Sequence, residues 1–256
     1  MLRLSTGARN FINKRGGMDQ MLRNGWMELY SGAQPASADA AVTGTLLCTI
    51  TSGSAALTKE VVATGTVTLS TGASGSVNTL TVNGVEVMGA VVNFNATLTQ
   101  TAADVAAQIN RFGSSPEYSA TSSGAVVTIR AMPGTGASVN AFAVVSGVTT
   151  ITKVDANLAS GVTAINGLLF DNSAAGVMPK LTTQTWSGVN AATGTAGWFR
   201  QYGSVADAGA VDTTETVLRV DGAIATSGAE MNLNSTAFTA LATTTLSGWG
   251  DTIPAQ

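Results

Sequence analysis

The alternation of apolar and polar positions changes period three times along the chain. Residues 1–24 carry helical spacing. Ser5 or Thr6 can cap a first helix, with Leu4, Ala8, Phe11 and Ile12 on one face, and "RGG" at 15–17 breaks it. Met18, Met21 and Leu22 give a second short helix its apolar stripe, and Asn24-Gly25 closes it. Helices this short are marginal alone and need a surface to dock on. From residue 26 the period becomes two. "WMELY" places Trp26, Glu28 and Tyr30 on one face of a strand and Met27 and Leu29 on the other, and the strand "TLLCTIT" (45–51) follows.

Residues 59–163 then read as strand, strand, helix, strand, strand, strand. "NTLTVNGVEVM" predicts a hairpin with Asn83-Gly84 in a type I′ turn. "TAADVAAQINRFG" (101–113) predicts a helix capped by Thr101 with Asp104, with Val105 and Ile109 inward and Gly113 as its stop. "YSATSSGAVVTIRAM" predicts a second hairpin, turning at Ser122 to Gly124. After residue 163 the first pattern returns in "INGLLFDNS", "LTTQTWSGV", "GWFRQYG", "ETVLRVDGAIAT", "EMNLNS" and "ALATTTLSGW". Strands on both sides of an insert imply a discontinuous host domain, 1–58 with 164–256, around an inserted α+β module, 59–163. The fold class expected is mainly β: an antiparallel β-sandwich or barrel host with short N-terminal helices.

Composition sharpens this. Charged residues make up only 11% of the 256-residue chain while hydrophobic ones reach 45%, so disorder is excluded and the missing charge is replaced by small residues. Such a surface suits close packing between flat faces better than a free, highly soluble monomer. The charge present is uneven: Arg3, Arg9, Lys14, Arg15 and Arg23 stand against Asp19 alone in residues 1–24, on a chain of net charge −3. A basic end on an acidic body fits either contact with an acidic partner or a solvated helix face. These few cations do not suffice for a nucleic-acid partner. No apolar run reaches the roughly 18 residues of a membrane span, so no membrane insertion is expected.

Chemistry is conspicuous by subtraction. The chain has no histidine and a single cysteine, Cys48, which excludes Ser-His-Asp and Cys-His pairs, His-based metal sites and CxxC motifs. "PGTGAS" (133–138) reads as a turn. Asp207, Asp212 and Glu215 are the only loose acidic cluster and are too sparse for a calcium loop. No catalytic, cofactor-binding or metal-binding residue is nominated, and no cofactor is expected.

What remains are surfaces. Trp26/Tyr30 and Trp198/Tyr202 repeat one spacing on two strands, so each pair shares a face. That face is either a buried core or an interface anchor, since Trp and Tyr dominate interface hot spots. Arg200 sits between the second pair on the same face. A dry core would therefore require Arg200 to be paired, and the alternative is a subunit contact. Arg3, Arg9, Phe11 and Ile12 are the matching candidates on the basic, helical N-terminus.

Taken in order, "LRLSTGARNFI", "GWMELYSGAQPASADAAVTGTLL", "INGLLFDN", "TWSGVNAATGTAGWFRQYG", "VLRVDGAIATSGAEMNL" and "TTTLSGWGDTIPAQ" resemble a family of tailed-bacteriophage virion proteins, across about 1–58 and 164–256. Shorter members resemble only these host segments. Residues 59–163 resemble an α+β module that recurs as an add-on in phage tail and baseplate proteins. The resemblance implies a structural, non-enzymatic component of the virion in head, neck or tail, and carries over no catalytic residue. The partners it implies are copies of the chain, other virion proteins and, through the insert, the host cell surface.

Overall fold

A computed structural model describes residues 2–252. Of the ending quoted above, residues 253–256 lie outside the described residues. With 41% of residues in strands and 13% in helices the fold is mainly β, built of antiparallel, sandwich-like sheets that do not close into a barrel. The chain divides into two compact units, residues 1–59 with 164–256, and residues 60–163.

The first unit is organised by a nine-stranded sheet. Its main path runs Arg3–Leu4, Arg219–Ala225, Gly194–Tyr202, Trp26–Ser31, Leu46–Ser52, Trp186–Val189 and Thr243–Leu246. The short Met231–Asn232 and Ala237–Phe238 strands attach beside this path, and only Met231–Asn232 pairs in parallel. Strands from before and after residues 60–163 thus interleave in one sheet. One face of the sheet is apolar: Met27, Leu29, Cys48, Ile50, Phe199 and Val220 are all buried. Burial pushes the Cys48 thiol up to about 12, which leaves it an inert core residue. A two-stranded ribbon, Val177–Pro179 with Gly250–Thr252, belongs to the same unit, and Trp249 beside it meets Phe199 edge-on at 5.1 Å.

The N-terminal helices are Thr6–Lys14 and Met18–Leu22. Ser5 caps the first, accepting the Ala8 N–H at 3.1 Å, and Asn24 ends the second region at φ 61°. The buried face of the first helix is Gly7, Ala8 and Phe11, whereas Ile12 is half-buried and Leu4 lies on a strand. Gly7 takes that place because a Cβ there would lie 2.4 Å from the Val217 carbonyl.

The second unit has two four-stranded sheets. One orders Thr152–Ala159, Thr64–Thr71, Val126–Arg130 and Ser119–Ser123; the other joins Val144–Thr149, Ser76–Val82, Val85–Glu86 and Val92–Asn93. Asn83 and Gly84 have φ of 48° and 79°, as a type I′ turn requires. The helix is Leu98–Arg111, and it starts a turn earlier than the sequence pattern suggests. Thr97, not Thr101, is the cap: its hydroxyl accepts the Gln100 N–H at 3.1 Å. Thr101 is buried and bonds back to the Thr97 carbonyl, while Asp104 accepts from Asn95 and Gln100. The inner face of Ala102, Val105, Ala106 and Ile109 is that of the predicted stripe.

Polar side chains close this unit's strand edges. Asn110 bonds both the N–H and the carbonyl of Ala120 on the outer Ser119–Ser123 strand. Asp155 takes the Ser146 N–H at 2.9 Å, and Asn157 takes that of Val144. The "PGTGAS" turn continues into a short 3-10 segment, Gly136–Val139. Its Gly134 and Gly136 N–H groups converge on the buried Glu60 carboxylate at 2.7 and 2.8 Å. This anion cradle is filled from within the unit.

Candidate functional site

The face of the host sheet opposite its apolar side gathers most of the nominated residues. Trp26–Ser31 and Gly194–Tyr202 pair antiparallel, which sets Trp26 opposite Tyr202 and Tyr30 opposite Trp198. Antiparallel pairing of two Trp-x-x-x-Tyr strands must cross the aromatics in this way. The rings stack at 4.5 and 4.6 Å, with interplanar angles of 10° and 12°. Between the stacks, the register aligns Arg3, Asp221, Arg200 and Glu28 across four adjacent strands, a row of alternating charge.

Arg200 and Asp221 are fully buried and meet fork to fork, with Nε to Oδ1 and Nη2 to Oδ2 both at 2.7 Å. Burial works against the Arg200 charge, but the bonds and charge of Asp221 outweigh it and hold the guanidinium above its ordinary value. Arg219 repeats the arrangement with Asp207, at 2.7 and 2.6 Å. Glu28 accepts from the Trp26 indole and the Tyr30 hydroxyl. Burial pushes the Tyr30 and Tyr202 hydroxyls upward, and the charge of Glu28 pushes the same way, so both stay protonated. Lys59 completes the set, 4.1 Å above the Trp26 ring.

Above this row runs "AQPASADAAVT", residues 33–43. Three arginines grip its backbone: Arg3 donates to the Pro35 carbonyl, Arg219 to Ala38 and Arg200 to Ala40. Asp39 in the same segment accepts the N–H and hydroxyl of Thr6, and its carbonyl accepts the Asp212 N–H. A stretch without regular structure is thereby fixed at several points by groups from distant parts of the sequence.

Of the two alternatives for this face, a buried core or an interface anchor, the chain itself forms the buried core. Trp26, Tyr30, Trp198, Arg200 and Tyr202 are at most 5% exposed within one chain. Arg200 is paired, which is the condition a core face required. Arg3, on the Arg3–Leu4 strand, is half-buried and donates to the 33–43 loop. Arg9 is exposed and donates to the Thr6 hydroxyl, Phe11 is buried in the helix contact, and Ile12 is half-buried. The three helix residues thus lie apart from the aromatic face. The Asp207, Asp212 and Glu215 cluster is also occupied structurally: Asp207 holds Arg219, and Asp212 accepts the Thr214 and Val217 N–H groups. Sequence reasoning missed Asp221 and Arg219, and it placed Asp207 only in the loose acidic cluster, not as the partner of Arg219. The signal for the first two was Arg-x-Asp inside the apolar strand "VLRVDGA", a spacing that puts both charges on one face.

Among the described residues no group of three His, Cys, Asp or Glu side chains could hold a metal ion, and no helix is long and apolar enough to cross a membrane. An open groove of about 440 Å³ lies in the second unit, lined by Asn93, Asn95, Asp104, Gln108 and Arg111 among others. Asp104 is the one carboxylate in it. Hydrogen bonds from Asn95 and Gln100 hold it below the usual carboxylate range, suited to an anchor and not to a general acid.

A different carboxyl responds to pH. Asp251 is buried, and burial pushes it up to about 6 against the opposing bonds of Trp249 and the nearby Gln201. The folded state therefore holds a proton that the unfolded state releases near 3.8. The stability it contributes is complete below that pH and is lost as pH rises through 6. The swing is up to about 3 kcal/mol. Denaturant melts from pH 4 to 8 should show this decline, and Asp251→Asn should flatten it. An equal slope in the variant would rule out Asp251 as its source.

Fold and site together define a mainly-β protein with an interrupted host unit whose densest charge cluster holds structure. Compared with protein-family models, curated proteins and solved structures, the chain matches none.

Proposed function

We propose that this chain is a structural, non-enzymatic component of a tailed-bacteriophage virion, present in many copies in the neck, collar or tail. Copies join through the β host unit and other virion proteins, and the inserted unit is displayed outward. The observation that carries the reading is where the chain spends its charge. Its concentrated ionisable groups are buried and paired, at Arg200–Asp221 and Arg219–Asp207. Its surface keeps bare aliphatic side chains such as Val145, Val154, Val189, Val211 and Leu241. A subunit surrounded by neighbours accommodates a chain this poor in charge, which suits a free, highly soluble monomer less well. The order of host motifs, which resembles that of virion proteins, supports the same reading.

Electron microscopy of purified virions with labelled protein tests it. Label at the neck or tail is expected, label on the head would make it a capsid decoration protein, and absence from the particle would sink the proposal. The alternative of a host-surface binding module rests on the groove of the inserted unit. Deleting residues 60–163 separates the two: intact particles that no longer adsorb favour binding, and failed assembly favours structure.

A further inference from the structure

We infer that the Thr243–Leu246 edge of the host sheet pairs with the same edge of a second copy, extending the sheet across a two-fold axis. This deepens the multi-copy reading above and rests on it. Among the described residues, Thr243–Leu246 is the last strand on its side of the sheet and pairs only with Trp186–Val189. The Asn190 N–H donates to the Ala242 carbonyl at 2.9 Å. Antiparallel ladders alternate, so the bonded pairs that follow are Gly188 with Thr244 and Trp186 with Leu246. On the far side of Trp186–Val189, Ala191 N–H to Leu47 O and Gly53 N–H to Thr185 O fix the complementary alternation. The N–H and C=O groups of Thr243 and Thr245 therefore point away from the sheet, and both residues are exposed.

A row of free donors and acceptors at strand spacing accepts another strand, and natural sheets usually protect such edges with charge, proline, bulges or a covering side chain. This chain protects edges elsewhere. Asn110 covers Ala120, Asp155 covers Ser146, and the opposite edge of the host sheet is the two-residue Arg3–Leu4 strand with its arginine. The sequence from Met231 to Thr252 contains one charge, the buried Asp251. Among the described residues no side chain bonds the outward groups of Thr243 or Thr245. At the same end stand Leu241, 85% exposed, and Val189, 52% exposed, which lies opposite Thr243. A second copy is the occupant this edge fits. An antiparallel edge is complementary to itself under a two-fold rotation, a neutral edge does not repel its own copy, and pairing brings Leu241 and Val189 towards cover.

The test uses the full chain in sedimentation velocity over a concentration series, with hydrogen exchange at the Thr243 and Thr245 amides. Reversible association with protection of both amides is expected. Thr245→Pro removes an outward N–H and no ladder bond within the chain. It should weaken association about tenfold or more, the scale of one or two net hydrogen bonds. If that variant does not fold, the Thr243→Lys/Thr245→Lys pair applies the natural edge protection instead and should have the same effect. A chain monomeric at every concentration, association unchanged in the folded variant, or protection of both amides in the dilute monomer would each overturn the inference. The virion reading fails separately. Protein found in particles while the variants still associate normally sinks the edge alone, and association lost in the variants of a protein absent from particles sinks the virion role alone.

Discussion

Arg200→Ala is expected to destabilise the host unit by about 3–5 kcal/mol, the scale of stranding one buried charge. The variant leaves Asp221 with no Arg200 fork at a position that water does not reach, and it frees the Ala40 carbonyl. Removing both charges should behave differently. Arg200→Met with Asp221→Leu deletes the pair and its desolvation cost together, and buried pairs replaced by apolar residues of similar volume are often neutral or stabilised. The double variant should thus recover much of the loss in denaturant melts. If it instead falls as far as the sum of the singles, the grip on residues 33–43 carries the stability and not the charge pairing.

Trp198→Ala should cost a similar amount, about 3–5 kcal/mol, through a cavity beneath the Tyr30 ring. Its indole N–H is buried without a hydrogen-bond partner among the described residues, so Trp198→Phe gives up area but no bond and should cost clearly less. Asn95→Ala, at an exposed bond to Asp104, should stay within about 0.5 kcal/mol. Thermal melts of the three variants check the order, and a Trp198→Ala protein as stable as Asn95→Ala would remove that ring from the core.

Much of the fold was legible because period, turn residues and caps are local. Ser5, Asn83-Gly84 and Asn24 act where the sequence places them. The helix start was misread because Thr97 and Thr101 are both plausible caps, and the choice fell to packing: Thr101 is buried under Asn95. The aromatic face was read only halfway. Alternation put Arg200 beside Trp198 and Tyr202, but its partner is 21 residues away and reaches it only through strand register. Nothing local specifies which strands become neighbours, and that is why Asp221 went unseen and Asp207 was read only as a loose acid, not as the partner of Arg219. Residues 33–43 show the same limit. The three arginines that fix them come from positions 3, 200 and 219.

The interleaving of early and late strands in the host sheet also sets a timetable. Trp26–Ser31 must pair with Gly194–Tyr202, and everything between is synthesised first. At about 5–20 residues per second, the first aromatic strand waits roughly ten to thirty seconds for its partner. Residues 60–163 form a compact unit wholly within that interval. On a ribosome the inserted unit can be complete while Trp26, Met27, Leu29 and Tyr30 are still uncovered. The nascent host is therefore most vulnerable to misassembly just before Tyr202 emerges, and a chaperone would find its apolar strand there.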